Sequence, residues 1–193
     1  TVKVEGEACH RIQEGCGFAA APDTIITNAH VVAGVTKNLH VLKPGLNRSL
    51  PATVIVFDAD RDLAVLRVPN LDDQPLALAT GKKGQDGAVF GHPGGIDQLR
   101  IAPARIEEQV KALGRDLYDQ HTTKRDVFIL ASDLHPGDSG GALADANGNV
   151  IGVAFAIAPD RAGTAYALTS AEIRAVLAVP RGGPVSTQSC LSE

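Results

Sequence analysis

The sequence has no methionine and no tryptophan, and it contains no apolar run long enough to cross a bilayer. The longest such run, Val150 to Ala158, is interrupted by Gly152 and falls short of the roughly 18 residues that a spanning helix needs. A charged and then apolar segment, which would mark a secretion signal, is also missing at Thr1. We therefore expect an excised domain of a longer protein, which meets a membrane only through segments outside this chain.

Charge of one sign is not concentrated anywhere in the chain. The 193 residues carry 18 basic and 22 acidic side chains, for a net charge of −4, and they form no basic stripe. Nucleic acid is therefore not expected as a partner. Neither Cys-x-x-Cys nor His-Glu-x-x-His spacing occurs, and Cys9-His10 alone is a poor ligand pair. The sequence thus predicts a domain without a bound metal or cofactor.

Only three cysteines occur, and their number is odd. Cys9 and Cys190 lie near opposite ends of the chain, so a disulfide between them would fasten both terminal segments to the body of the domain. Such a bridge would place the protein outside the cytosol. Three unpaired thiols in a cytosolic protein are the alternative.

Glycine and proline are abundant, with 20 and 11 residues, which favours short strands joined by turns over long helices. Residues 80–87 are polar and punctuated by glycine, so they are the best candidate for a link between two halves. Residues 114–125 are expected to form a polar loop. Thr169 and Glu172 form a capping-box pattern that begins one helix, and Pro180 ends it. This helix should pack as a lid on the second half.

The candidate nucleophile is Ser139, in the segment Pro136-Gly137-Asp138-Ser139-Gly140-Gly141. The flanking glycines leave its hydroxyl uncrowded and let nearby backbone N–H groups face whatever the hydroxyl attacks. A plain glycine-rich turn has the same composition, so the partners of the serine must decide.

The order of the catalytic residues along the chain distinguishes the known folds of serine hydrolases, because three unrelated folds arrange serine, histidine and acid in three different orders. All six histidines precede Ser139, namely His10, His30, His40, His92, His121 and His135. This excludes the α/β-hydrolase order, in which histidine follows serine. The subtilisin order needs an aspartate before the histidine, and only Asp23, in a Pro-Asp turn close to His30, could supply it. The order that remains is His30, Asp62, Ser139.

Three motifs lie along this order: Thr27-Asn28-Ala29-His30-Val31-Val32, Asp62-Leu63-Ala64-Val65-Leu66 and Gly137-Asp138-Ser139-Gly140-Gly141. Together they resemble the three catalytic motifs of chymotrypsin-like serine proteases, and Gly15-Cys16-Gly17-Phe18 resembles the bacterial branch that includes the HtrA proteases. The resemblance covers residues 12–179. It implies an all-β fold of two packed six-stranded antiparallel β-barrels, over about residues 1–80 and 87–180, with a short C-terminal helix and an extended tail over 181–193.

The resemblance also implies roles for the matched residues. Ser139 would attack the scissile carbonyl, His30 would accept and return the proton, and Asp62 would orient the imidazole. The backbone N–H groups of Gly137 and Ser139 would form the oxyanion hole. The implied function is a serine endopeptidase that works through an acyl-enzyme, in a single and monomeric protease domain.

Two further segments, Leu113-Gly114-Arg115-Asp116-Leu117-Tyr118-Asp119-Gln120 and Ser186-Thr187-Gln188-Ser189-Cys190, are similar to the actinobacterial MarP-type acid-resistance proteases. That likeness implies a periplasmic domain carried behind an N-terminal membrane-spanning region, with a disulfide that joins its ends. Its substrates would be proteins of the cell envelope and could include its own linker.

The sequence leaves open the roles of three residues near Ser139. Asp138 resembles the digestive enzymes, whose aspartate pairs with a newly cut N-terminus, but no Ile-Val-Gly-Gly start is present, so a side-chain or backbone partner is expected. Asp133 could select Arg or Lys at the cleaved position, in a pocket walled by Phe155-Ala156-Ile157 and narrowed by Ile157. Cys16 could be a redox-sensitive contact beside the cleft or a replacement for a small residue.

Two other functions share most of these features. One is a binding module on a protease scaffold without turnover, against which the intact His30, Asp62 and Ser139 argue. The other is an HtrA-type quality-control protease with appended PDZ domains, against which the expected bridge between the ends argues.

Overall fold

The chain folds into short antiparallel strands joined by tight turns, as its glycine and proline content predicts. The computed structural model describes residues 1–45 and 48–191. The elements described in the first half are β1 (Val2–Ala8), β2 (Arg11–Ala21), β3 (Thr24–Thr27), α1 (Ala29–Val32), β4 (Val35–Leu42), β5 (Ser49–Pro51), β6 (Thr53–Asp58) and β7 (Leu63–Arg67). Those of the second half are β8 (Asp86–Gly91), a 3-10 turn (Pro93–Gly95), β9 (Arg100–Arg115), β10 (Thr122–Ala131), β11 (Ala142–Ala144), β12 (Val150–Ile157), β13 (Thr164–Thr169) and α2 (Ser170–Leu177).

The strands form two sheets, one from each half of the chain. The first sheet has seven strands in the order β5-β4-β1-β2-β3-β7-β6, and the second closes into a barrel of six strands in the order β10-β13-β12-β11-β8-β9. The fold class is therefore confirmed as all-β and chymotrypsin-like, with a short C-terminal helix. The first half differs in detail from the six-stranded barrel that the resemblance implies, because the short strand Ser49–Pro51 adds a seventh member to an open sheet.

The long hairpin of β9 and β10 corrects the expected polar loop over residues 114–125. Gly114 pairs with Thr123 and Arg115 pairs with Thr122, so the connection between the strands shrinks to residues 116–121. The outer part of β9 is exposed, with side chains that alternate little in polarity. The polar composition of this segment therefore reflects exposure to solvent and not the absence of a strand.

A shared apolar core, here called the junction core, joins the two halves. It holds buried side chains from the first sheet, from the second barrel and from α2. These include Phe18, Ile26, Leu63 and Val65 of the first half, Val127, Val150, Val153 and Leu168 of the second half, and Ile173 and Val176 of the helix. Each such side chain contributes about 1.5–3 kcal/mol when it is fully buried, so the relative position of the halves is strongly held.

Helix α2 begins after Thr169 as predicted, but the capping box does not form. The Thr169 side chain makes no capping hydrogen bond. Glu172 Oε1 instead accepts a hydrogen bond of 3.0 Å from the backbone N–H of Asp126, and Glu172 Oε2 lies 3.0 Å from Arg61 Nε. The helix therefore bridges the two halves, whereas we expected a lid on the second half alone.

The tail is extended along the first half and ends in the expected disulfide between Cys9 and Cys190. The Thr187 carbonyl accepts a hydrogen bond of 2.9 Å from the N–H of Gly34, and the N–H of Val185 donates to the Val54 carbonyl at 3.0 Å. Because the bridge spans 181 residues, the loop-entropy relation gives an upper bound of about 5 kcal/mol for its stabilisation. The alternative of three unpaired thiols is excluded. Among the described residues, no helix has the length and apolar character to span a membrane.

Candidate active site

The three candidate catalytic residues lie on connections between strands, two in the first half of the chain and one in the second. His30 lies in the single turn α1, directly after β3. Asp62 ends the turn between β6 and β7, and Ser139 lies in the loop between β10 and β11. The turn and the helix belong to the first half, and the serine belongs to the second.

Asp62 holds His30 through both of its carboxylate oxygens. The distance from Asp62 Oδ2 to His30 Nδ1 is 2.7 Å, and Asp62 Oδ1 accepts a hydrogen bond of 2.8 Å from the backbone N–H of His30. A carboxylate oxygen only accepts, so Nδ1 must carry the proton of the neutral ring. His30 Nε2 is therefore left as a proton acceptor.

Local hydrogen bonds explain why Asp62 stands in this position. Its φ of +58° is in the left-handed region, where aspartate is one of the few tolerated residues. The Asn28 side-chain amide donates to the Asp62 carbonyl at 2.9 Å, and the Gln13 amide donates to the His30 carbonyl. Sequence reasoning missed both amides, although Asn28 stands inside the histidine motif, which is the signal that could have identified it.

The charge of Asp62 controls the protonation of His30. Burial disfavours the charged imidazolium, but the negative carboxylate and its hydrogen bond outweigh that effect and raise the pKa of His30 above its ordinary value of 6.5. The His30 side chain is 27% exposed and that of Asp62 is 8% exposed. The pair is thus shielded from water on one side and open on the other.

The serine loop, residues 135–141, has almost every peptide group held by a hydrogen bond. Six carbonyl groups of this loop accept hydrogen bonds: His135 from Asp138 N–H at 3.0 Å, Pro136 from Gly94 N–H at 2.6 Å, Gly137 from the Cys16 thiol at 3.0 Å, Asp138 from Gly141 N–H at 2.9 Å, Ser139 from Cys16 N–H at 2.7 Å, and Gly141 from Ala154 N–H at 3.0 Å. Four N–H groups donate: His135 to Asp138 Oδ2 at 2.9 Å, Asp138 to the His135 carbonyl, Gly140 to the Ala154 carbonyl at 2.8 Å, and Gly141 to the Asp138 carbonyl. In the described part of the chain, the N–H groups of Gly137 and Ser139 make no such bond.

At two positions of the serine loop only glycine fits the backbone conformation and the surrounding atoms. Gly137 has a φ of +100°, and a Cβ there would lie 2.5 Å from the His92 carbonyl oxygen. Gly140 has a φ of +85°, and a Cβ there would collide with the Cys16 carbonyl oxygen. Only glycine combines this backbone conformation with such close neighbours.

Ser139 is partly buried and lies against β2, where Cys16 N–H donates to its carbonyl. Among the described residues, no hydrogen bond joins the Ser139 hydroxyl to His30 Nε2. Hydrogen bonds of this kind are often long in the resting state and tighten when substrate binds. The structure therefore brings His30 and Asp62 into direct contact and places Ser139 in a separate, rigid loop.

The partner of Asp138 is the backbone of its own loop. Asp138 Oδ2 accepts a hydrogen bond of 2.9 Å from the N–H of His135, and the residue is only 3% exposed. Burial raises the pKa of the Asp138 carboxyl above its ordinary value of 3.8, although this hydrogen bond and the nearby Arg100 act in the opposite direction. Asp138 thus has a backbone partner within its own tight turn, and that partner is not the N-terminus.

Asp133, which could select Arg or Lys at the cleaved position, lies at the surface of the structure. Its side chain is 73% exposed, and its carboxylate lies 3.4 Å from both Arg100 and His135. It does not form the floor of a buried pocket. Of the other proposed pocket residues, which lie together on β12, Phe155 and Ala156 are partly buried and Ile157 is 39% exposed.

One group of potential metal ligands occurs among the described residues, and it is formed by Asp60, Asp116 and His121. Its members already bind one another or the backbone. His121 Nε2 lies 2.8 Å from Asp60 Oδ1, and Asp116 Oδ1 accepts from the N–H groups of Gln120 and His121 at 2.5 and 3.0 Å. A hydrogen bond between two side chains and a closed turn explain this group.

Residues 15–153 match the family of trypsin-like peptidase domains. The chain is 42% identical to the serine protease Rv3671c of Mycobacterium tuberculosis over 188 residues, which cover 95% of this chain and 46% of that protein. It is 36% identical over 156 residues to a probable periplasmic serine endoprotease of the DegP type from Halomonas elongata, covering 77% of this chain and 30% of that protein. The chain thus spans half or less of the length of these relatives.

Solved structures of Rv3671c from M. tuberculosis show the same fold. The active form superposes with a TM-score of 0.94 at 41% identity, over 99% of this chain and 85% of that one. The inactive form superposes with a TM-score of 0.79, also at 41% identity, over 91% and 87% of the two chains. The backbone described above therefore agrees better with the active form.

Replacing Asp138 by asparagine should change how stability depends on pH. The native state holds the Asp138 proton more tightly than the unfolded state, so the wild type loses stability as the pH rises above 3.8 through the raised pKa. Asp138→Asn lacks this group, and its free energy of unfolding relative to the wild type should increase over that interval. Urea unfolding between pH 3.5 and about 7 measures the difference.

Asp160→Asn is the control, because Asp160 is an exposed carboxylate. If the difference between Asp138→Asn and the wild type were constant with pH, burial would not raise the pKa of Asp138.

Proposed function

This chain belongs to the family of trypsin-like peptidase domains, and from that premise we propose that it is a serine endopeptidase with Ser139 as its nucleophile. The observation that carries the proposal is the serine loop, in which hydrogen bonds hold the neighbouring peptide groups and leave the N–H groups of Gly137 and Ser139 unused. Two rigid, unpaired donors beside a serine hydroxyl are what a developing oxyanion requires.

The proposed reaction follows from this arrangement. Ser139 Oγ bonds to the scissile carbonyl carbon as its proton passes to His30 Nε2, and the carbonyl oxygen becomes an oxyanion that Gly137 N–H and Ser139 N–H stabilise. When the C–N bond breaks, His30 returns the proton to the leaving amine, and an acyl-enzyme remains. Water then attacks the acyl carbon as His30 takes its proton. When the ester bond to Ser139 Oγ breaks, His30 returns that proton to Oγ, which releases the acid and restores Ser139. Each oxyanion donor is worth about 3 kcal/mol in sites of this kind.

The domain is proposed to act outside the cytosol, as part of a longer protein anchored in the inner membrane. The Cys9–Cys190 disulfide supports an oxidising compartment, and the DegP-type relative is named as periplasmic. The proposed substrates are proteins and peptides of the cell envelope, which could include the linker of the protein itself. The resemblance to MarP-type proteases supports a role in resistance to acid or oxidative stress, and the domain is proposed to be monomeric.

Replacing Ser139 by alanine should abolish peptide-bond cleavage and leave the fold intact, because only the attacking oxygen is removed. We expect a loss of at least about 10³-fold in kcat/KM. Labelling of the wild type by a fluorophosphonate, absent in Ser139→Ala, would also separate an enzyme from a binding module without turnover. The control is Ser49→Ala, at an exposed strand position. Cleavage by Ser139→Ala at the wild-type rate would remove Ser139 from the mechanism.

The rate should depend on pH through His30. His30 must be neutral to act as the base. Because its pKa is raised above 6.5, kcat/KM should fall tenfold for each pH unit below that raised pKa. Asp62→Asn removes the charge that raises this pKa, so the inflection in its residual labelling rate should move to lower pH. A wild-type profile that is flat from about pH 4 to 8 would contradict His30 as the base.

Cleavage should favour an uncharged residue at the position before the scissile bond. Asp133 is exposed and paired with Arg100, so it offers no buried carboxylate to bind Arg or Lys, and Phe155, Ala156 and Ile157 remain the proposed apolar wall. Cleavage of a peptide library, read by mass spectrometry, measures the preference. Products that end mainly in Arg or Lys would restore the role first expected for Asp133.

A further inference from the structure

Cys16 makes four hydrogen bonds, and three of them reach the serine loop or the 92–96 turn beside it. The residue is completely buried, at 0% exposure. Its N–H donates to the Ser139 carbonyl at 2.7 Å, and its carbonyl accepts from the Thr27 hydroxyl at 2.6 Å. Its thiol donates to the Gly137 carbonyl at 3.0 Å and accepts from the His92 N–H at 3.2 Å. The side chain therefore does more than fill space.

The bond from the thiol fixes the peptide plane that follows Gly137. Gly137 has no side chain, so rotation about its backbone bonds meets little intrinsic resistance, and hydrogen bonds must hold both of its peptide planes. Gly94 N–H holds the preceding plane, which carries Gly137 N–H, through the Pro136 carbonyl. The following plane is held by the Cys16 thiol at the Gly137 carbonyl and by the His135 carbonyl at Asp138 N–H. Loss of the thiol bond leaves the following plane with one hydrogen bond, so the backbone of Gly137 becomes freer to rotate.

The thiol also connects the serine loop to the turn that supports it. His92 donates its backbone N–H to the sulfur, and the same residue closes the 92–96 turn through Nδ1, which donates to the Ile96 carbonyl at 3.1 Å. Gly94, in this turn, supplies the bond to Pro136. One sulfur atom thus links the loop and its support.

The thiol keeps the protonation state that its bond to the Gly137 carbonyl needs. Burial raises the pKa of the Cys16 thiol to about 12, so it stays a protonated donor. Burial also lowers the pKa of His92 below 6.5, which favours its neutral ring, and its bond to the sulfur comes from the backbone N–H, which does not titrate. A buried thiol with so high a pKa is a poor nucleophile and a poor redox contact, which disfavours the redox-sensitive contact that the sequence left open for Cys16.

We propose that Cys16 is a positioning residue for the oxyanion hole, whose thiol holds the Gly137 carbonyl, and through it the conformation of the serine loop in which Gly137 N–H and Ser139 N–H face the substrate. The proposal rests on the serine endopeptidase function and deepens it. Cys16 touches no reacting atom and acts only through the serine loop. Its contribution is therefore to the transition state and not to the binding of substrate.

Three substitutions separate positioning from packing. Cys16→Ala removes both bonds of the sulfur, Cys16→Val fills a similar volume without a polar atom, and Cys16→Ser keeps a group that can donate and accept. We expect kcat to fall roughly tenfold in the first two variants, with KM changed less than about twofold, and to recover to within about threefold of the wild type in Cys16→Ser. Rates are measured at saturating peptide and divided by the sites that a fluorophosphonate titrates, so that unfolded protein does not count.

A second measurement does not depend on turnover. The ¹H–¹⁵N NMR signals of Gly137 and Ser139 should shift or broaden in Cys16→Ala and keep nearly their wild-type positions in Cys16→Ser. If all three variants kept the wild-type kcat per titrated site and unchanged loop signals while their Tm fell, Cys16 would have only a packing role and the proposal would be overturned. If the wild type itself neither cleaved nor labelled, the endopeptidase function would fail, and the NMR signals would still decide whether the thiol positions the loop.

Discussion

The packing of the two halves against each other is the constraint on which the whole site depends. His30 and Asp62 belong to the first half and Ser139 to the second, so no single sheet contains the complete group. The junction core holds the halves together, and Glu172 on α2 adds polar links to Arg61 in the first half and to Asp126 in the second. Arg61 directly precedes Asp62, so the same helix that closes the core also steadies the turn that carries the acid.

Much of the fold could be predicted from the sequence, because strand periodicity and turn residues act locally. The chain order of histidine, aspartate and serine also selected the chymotrypsin-like fold, and the contact between Asp62 and His30 follows from it. The length of the β9–β10 hairpin could not be predicted, since cross-strand pairing of polar residues such as Thr122 with Arg115 leaves no apolar pattern. The partners of Glu172 were also missed, because tertiary contacts replaced the local capping bond.

The finer geometry of the site depends on backbone hydrogen bonds between segments far apart in the chain. Cys16 and Gly94 reach the serine loop from 121 and 42 residues away along the sequence, and residue type alone does not reveal such contacts. Asp133 shows the converse difficulty, since a shift of a few residues in a loop decides whether a carboxylate lines a pocket or faces solvent. Sequence motifs therefore identify reactive groups more readily than the groups that hold them in place.

The Cys9–Cys190 bridge has a mechanical consequence for the domain. A covalent link between residues near the two ends makes the chain between them a closed ring of 181 peptide steps. Tension applied to the two ends would pass through the sulfur–sulfur bond and not through the strand ladders inside the ring. The second barrel and the peptide planes of the serine loop would then bear no load when the ends are pulled apart, whereas β1 precedes Cys9 and its pairing with β2 and β4 would still carry load.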